Sequence, residues 1–203
     1  MLRYYSIEDL KSRLCRVFRD DHRIQWSDAL LDEIIFEAQR EYALYSGCLQ
    51  GTFDIVSSGS PVMACPEDFI KVVRVSAFDG KELPIVSYRE LAARYGDFRK
   101  ITGSKAKYIV FDFDGHKRFR IFPTLPKGTN AGTVHYERLP QNNVLEVKNI
   151  EAVEAYALYM MFLMTGKDLA AVWYKKFMEL VLNDTSSFHK VGIADRLRSG
   201  RYY

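Results

Sequence analysis

The hydrophobic period changes twice along this chain, and that constrains its fold more than any single motif. Both ends repeat apolar residues at helical spacing, while the middle alternates them. Ile7, Leu10, Leu14 and Val17 recur behind Ser6, whose hydroxyl can cap the free N–H groups of a helix. Glu8 and Asp9 suit its positive end, and the polar stretch Arg19 to Arg23 stops it. Ser27 reads as a second N-cap, with Trp26 and Leu31 spaced as a hydrophobic staple. Leu31, Ile35, Ala38, Tyr42 and Tyr45 then form one long stripe that ends at Gly47.

From about Thr52 to Pro140 the period is that of strands. "FIKVVRVSAF" (69–78) is rich in β-branched residues and meets Asp79-Gly80, a hairpin signal. Ser87 to Tyr95 reads as a short surface helix. Residues 106–123 read as strand, Asp-Gly turn, strand; 123–132 is a Pro/Gly loop; 133–139 is a further strand. Helical spacing returns after Asn149. Ile150, Val153, Ala157, Met160 and Met164 mark one stripe, stopped by Gly166. Asp168 can cap a last helix with Leu169, Trp173, Phe177 and Leu180 on its inner face, fading at Asn183-Asp184.

This pattern predicts an α+β protein: a four-helix bundle built from N- and C-terminal helix pairs, with a central antiparallel β-rich insert and an extended C-terminal tail. The expected limits are 1–50 and 147–185 for the helix pairs, 51–146 for the insert and 186–203 for the tail. Short connections favour antiparallel hairpins that bury their stripes against each other. The 203 residues suffice for one domain with an insert, and a formal charge of +3 does not mark a dedicated nucleic-acid binder. Cys15, Cys48 and Cys65 lack CxxC spacing and read as reduced, partly buried thiols of a cytosolic protein. No apolar run approaches the roughly 20 residues that span a bilayer, and "MLRYYSIEDL" has no signal-peptide pattern.

The stretch most suggestive of chemistry is "VFDFDG" (110–115). An apolar strand running into Asp112 and Asp114 is how a magnesium-dependent phosphatase of the haloacid dehalogenase type presents a nucleophile and its partner acid. Such an enzyme also needs a following helix, a later hydroxyl, a lysine and an acidic pair for the metal. Here a second strand, "HKRFRIFP", follows at once; Thr124 and Lys127 come too soon, and Asp20-Asp21 lies far upstream. We therefore expect Phe111 and Phe113 to pack, Asp112 to face water and Asp114-Gly115 to turn the chain. Asp112, Asp114 and His116, with His135 nearby, could form a metal set, but the turn breaks their alignment, and no metal or cofactor is expected. Lys117, Arg118 and Arg120, within a wider basic run from Arg99 to Lys127, are candidate DNA-backbone contacts, with the interleaved aromatics in the core and the basic residues on a solvated face.

The last twenty residues carry isolated apolar and basic residues without a sustained period. They have anchors but too little periodic surface to fold alone, so ordering on a partner is expected.

The whole-chain plan resembles the head-to-tail adaptor, or connector, proteins of tailed bacteriophages. The resemblance rests on "WSDALLDEIIFEAQREYAL", "CPEDFIKVVRV", "RFRIFPTLPKGTNAGTVHYERLP" and "NIEAVEAYALYMMFLMTGKDLAAVWYKKFMELV", with the tail beyond. It implies a structural, non-enzymatic virion protein of the neck, made in the host cytoplasm. Its copies would assemble as a ring, commonly a dodecamer, between the portal and a downstream tail or nozzle protein. DNA would pass through the lumen without being read, and no membrane is involved. It further implies that the tail docks on the portal. The apolar anchors would be Phe188, Ile193, Leu197, Tyr202 and Tyr203, and Arg196, Arg198 and Arg201 would meet acidic groups. Pro123 to Gly132 is the expected exposed contact of the insert.

Overall fold

The computed structural model describes residues 6–111, 117–142 and 144–188, the last four of these as helical backbone only. The fold is α+β, with five α-helices and two antiparallel sheets among the described residues. The chain forms two compact units. One takes residues from both ends, up to Leu49 and from Leu139 onward; the other is Gln50–Arg138.

In the first unit, α1 (Ile7–Phe18) begins at a reciprocal cap. Ser6 Oγ accepts the Asp9 N–H at 3.1 Å, and Asp9 Oδ2 accepts the Ser6 N–H at 3.0 Å. Helix α2 (Asp28–Ser46) starts behind Ser27 as its spacing predicts and ends on Gly47, whose positive φ of 62° suits a residue without a β-carbon. Leu31, Ile35, Ala38 and Tyr42 are buried and Tyr45 is half-buried against the same core. Between the two helices, the Asp20 carboxylate accepts three backbone N–H groups, from Ile24, Gln25 and Trp26, at 2.8–2.9 Å.

Helices α4 (Ile150–Met164) and α5 (Ala170–Phe188) complete this core. The expected α4 stripe is only partly realised. Val153 and Ala157 are buried, but so are Ala152, Ala155, Leu158, Met161 and Phe162, whereas Met164 is exposed. The helix is apolar almost all round, so periodicity alone could not choose its inner face. On α5, Phe177 and Val181 are fully buried and Trp173 and Leu180 half-buried, while Leu169 precedes the helix and is exposed. The Phe177 ring meets Tyr156 at 4.9 Å and Tyr45 at 6.1 Å. Helix α5 does not fade at Asn183-Asp184 but runs on to Phe188, because Asp184 is held by side chains of α2 and of the α4 N-cap.

Gln39 is a buried polar residue on α2 that the stripe omitted. Its Nε2 donates to the Val144 carbonyl at 2.9 Å, and its Oε1 accepts the N–H groups of Glu146 and Val147. These bonds fasten the segment leading into α4 to α2 and satisfy backbone groups that burial would otherwise leave unpaired.

The second unit holds both sheets. One has the order β1-β6-β3, from β1 (Gln50–Val56), β6 (Asn130–Arg138) and β3 (Phe69–Ala77); the other has β2-β5-β4, from β2 (Val62–Ala64), β5 (Arg118–Phe122) and β4 (Tyr108–Phe111). Ile55, Val75, Val134 and Tyr136 of the first sheet share a core with Ile109, Phe119 and Ile121 of the second. The β4–β5 pair is antiparallel, with Phe111 opposite Phe119. Residues 112–116 between them, including Asp112, Asp114 and His116, lie outside the described residues.

Helix α3 (Tyr88–Tyr95) forms where Ser87 and Glu90 make a second reciprocal cap. With the 3-10 turn Phe98–Lys100 it covers the outer face of the second sheet, where Leu91 and Phe98 pack on Val110 and Phe122. Both faces of β5 are therefore buried. This corrects the expectation that the basic residues of 99–127 form one solvated face: Arg120 is only 7% exposed. The expected Pro/Gly loop is also narrower than 123–132, because β6 takes over at Asn130 and Pro123 and Leu125 are buried.

Candidate interaction surfaces

Three surfaces merit description: the root of the C-terminal segment, the α4–α5 corner, and the basic residues of the second unit. The first is built around Asp184, on the same face of α5 as Phe177 and Val181. Its Oδ2 accepts the Tyr42 hydroxyl of α2 and, at 3.0 Å, the Asn149 side-chain amide. Asn149 in turn caps α4, its Oδ1 accepting the Ala152 N–H at 3.1 Å. Burial pushes the Tyr42 phenol well above its usual range, and the Asp184 carboxylate reinforces that by accepting a hydrogen bond from the protonated hydroxyl. One carboxylate thus ties three helices together just before the chain leaves α5. Phe188 is the last helical residue; Ile193, Arg196, Leu197, Arg198, Arg201, Tyr202 and Tyr203 lie outside the described residues.

At the α4–α5 corner, Leu163, Met164, Leu169 and Val172 are each 50–60% exposed. The neighbouring end of α1 adds Val17, and the loop after it adds Ile24, which is 86% exposed. The two ends are joined by Phe18, whose ring lies 4.7 Å from that of Phe162 and beneath the Lys167 ammonium at 5.5 Å. Exposed large apolar side chains gathered at one end of a helical unit mark a protein-contact surface. Only Leu163, Val172 and Ile24 lie off the predicted stripes; Val17, Met164 and Leu169 lie on them and are exposed all the same, so spacing could not have found this surface.

In the second unit the predicted basic trio separates. Lys117 and Arg118 are exposed beside a shallow cleft that also involves Cys65, Phe69 and Lys71. The Lys117 ammonium donates to the Glu67 carbonyl at 3.0 Å. Arg120 instead lies over the Phe98 ring, its carbon 5.2 Å from the centroid. His135 is half-buried on β6, opposite Thr52 and Arg74, in the other sheet from β4 and β5. Among the described residues, no three of histidine, cysteine, aspartate and glutamate converge as a metal site. No helix among them is long and apolar enough to cross a membrane.

These features define an α+β protein in which chain from both ends builds a helical unit and the β-rich unit is inserted between those ends in the sequence. The model of the SU10 adaptor protein family matches residues 5–196, and the chain belongs to that family of phage head-to-tail adaptors. The role is that of a structural head-tail adaptor at the virion neck, associated with portal and tail components. No curated protein matches the chain.

Proposed function

We propose that the protein is a ring-forming adaptor that joins the portal to the tail and continues the DNA channel. The observation that carries this reading is the exposed apolar end of the helical unit, formed by Leu163, Met164, Leu169, Val172 and Ile24. A free-standing monomer gains nothing from that surface, whereas a ring buries it between copies. Closure would be heterologous, one face of each copy meeting a different face of the next. In this reading the four helices act as one bundle, from 1–50 and 147–185, with 51–146 as the insert. Residues 186–203, which begin in the last turn of α5, dock on the portal through Phe188, Ile193, Leu197, Tyr202 and Tyr203, with Arg196, Arg198 and Arg201 meeting acidic groups. The tip Pro126–Gly128 faces the next tail protein. Lys117 and Arg118 are the members of the basic trio that DNA backbone could reach, because both are exposed.

The test is deletion of residues 186–203. The truncated protein should keep the helical circular dichroism of the full chain and fail to co-sediment with portal rings. Co-sedimentation at the full-length level would refute the assigned dock.

A further inference from the structure

Among the described residues, the buried guanidinium of Arg120 has no counter-charge. Among the described residues it makes no ion pair, and its Nε has no hydrogen-bond partner. A cation taken out of water without a partner costs far more than an exposed one, so such a group needs an explanation.

Its surroundings are cationic as well. Between residues 86 and 108 there are six basic residues (Arg89, Arg94, Arg99, Lys100, Lys105, Lys107) and two acidic ones (Glu90, Asp97). Both acids are already engaged. Glu90 accepts from the Ser87 N–H at 2.7 Å, and Asp97 pairs with Lys100 at 3.6 Å. The arginines are laid on aromatic rings. Arg94 sits 5.6 Å from the Tyr108 centroid, and Arg99 sits 6.0 Å from that of Tyr88 while donating to its hydroxyl at 2.5 Å. The rings themselves are in contact, Tyr88 with Phe98 at 5.1 Å and Phe98 with Phe122 at 6.2 Å. Arg99 spends Nε and Nη2 on the Tyr88 hydroxyl and Arg94 spends Nη1 on that of Tyr108, which fixes each guanidinium and leaves only its remaining N–H groups for an anion.

We propose that this arginine–aromatic face, formed by Tyr88, Arg94, Phe98, Arg99, Tyr108 and Arg120, receives carboxylates from an acidic segment of a protein partner. Charge complementarity selects an anion, and depth selects its kind. A duplex presents its phosphates on a wide convex rod, which can touch Arg94 and Arg99 but cannot approach a guanidinium that is only 7% exposed. An Asp or Glu side chain carries its charge on a narrow stem and can enter. Tyrosine and arginine together are also the residues that dominate protein–protein contacts.

The test uses the full chain and two fluorescein-labelled probes followed by anisotropy: a Glu-Gly repeat peptide and a random-sequence DNA duplex. Arg99→Gln combined with Arg120→Met, which keeps an apolar stem over Phe98, should weaken the peptide by about tenfold or more. Duplex binding, which can use Arg99 but not the buried Arg120, should weaken by a clearly smaller factor than the peptide. Lys105→Gln with Lys107→Gln removes the same charge away from the rings and should leave the peptide nearly unaffected. If the Arg120 variant does not fold, Arg94→Gln with Arg99→Gln takes its place. Three results would overturn the proposal: no peptide binding by the unmodified chain, equal loss in the arginine and lysine pairs, or loss confined to the duplex. None of these bears on the tail deletion, so the adaptor reading and this surface stand or fall separately.

Discussion

Replacing Asp184 by alanine should loosen the helical unit at the point where the docking segment leaves it. The carboxylate accepts the hydroxyl of Tyr42, a residue only 2% exposed, and the side-chain amide of the α4 cap Asn149. A hydrogen bond to a charged acceptor contributes about 1.5–3 kcal/mol, and a buried donor left unpaired costs a similar amount. Asp184 itself is half-buried, so water recovers part of the loss. The net destabilisation should be about 2–3 kcal/mol. Asp184→Asn keeps one acceptor oxygen and should cost about half as much, and Tyr42→Phe about 1 kcal/mol. Urea unfolding followed by tryptophan fluorescence isolates the effect, because the chain's two tryptophans, Trp26 and Trp173, both lie in the helical unit. With a slope of roughly 1–3 kcal/mol/M, the alanine midpoint should fall by about 1–2 M. The double-mutant cycle with Tyr42→Phe should show a coupling of about 1 kcal/mol. A midpoint unchanged within error, or strictly additive variants, would show that the bond seen between α2 and α5 contributes nothing to holding the end of α5.

Two further outcomes follow from the fold. Gly132 on β6 has φ +140°, and a β-carbon there would strike the Ser76 carbonyl of β3. Gly132→Ala should therefore destabilise the β unit by more than about 1 kcal/mol. Faster amide exchange at Val75 and Val134 with unchanged tryptophan emission is expected, and unaltered exchange would contradict it. Asp20 is held below the usual aspartate range, first by the N–H of Trp26 and then by those of Ile24 and Gln25, with desolvation opposing. A depressed carboxyl adds stability that is present above its unfolded pKa and lost as pH falls through the lower folded one. Its carboxyl carbon should titrate below an unstructured aspartate, and exchange at Ile24–Trp26 should rise only on that acid limb. A midpoint at or above about 3.9 would exclude the arrangement.

Much of the helical unit was legible because helix ends are local. Ser6 with Asp9, Ser27, and Gly47 act within one turn of chain, so their spacing reveals them without reference to the rest of the fold. The same holds for the Ser87–Glu90 cap and for the two strands read in 106–123, which pair antiparallel. Two residues were legible in principle and missed. Gln39 follows Ile35 by four residues and precedes Tyr42 by three, and Asp184 follows Val181 by three, so both sit at core spacing despite being polar.

The amino-acid sequence by itself thus determined where the capped helices α1, α2 and α3 begin, the α+β class, and the division into helical ends and an alternating middle. Those depend on hydrogen bonds and periods within a few residues. Tertiary structure alone decided which face of the uniformly apolar α4 is buried, which apolar residues remain exposed at the α4–α5 corner, and that Arg120 is buried against Phe98 of the 3-10 turn. Alternation on β5 states that Arg120 and Phe119 point to opposite faces, but both faces are covered, and covering depends on what folds over them from elsewhere in the chain. The contact surfaces belong to this second class because exposure is a property of the packed molecule and not of any segment in it.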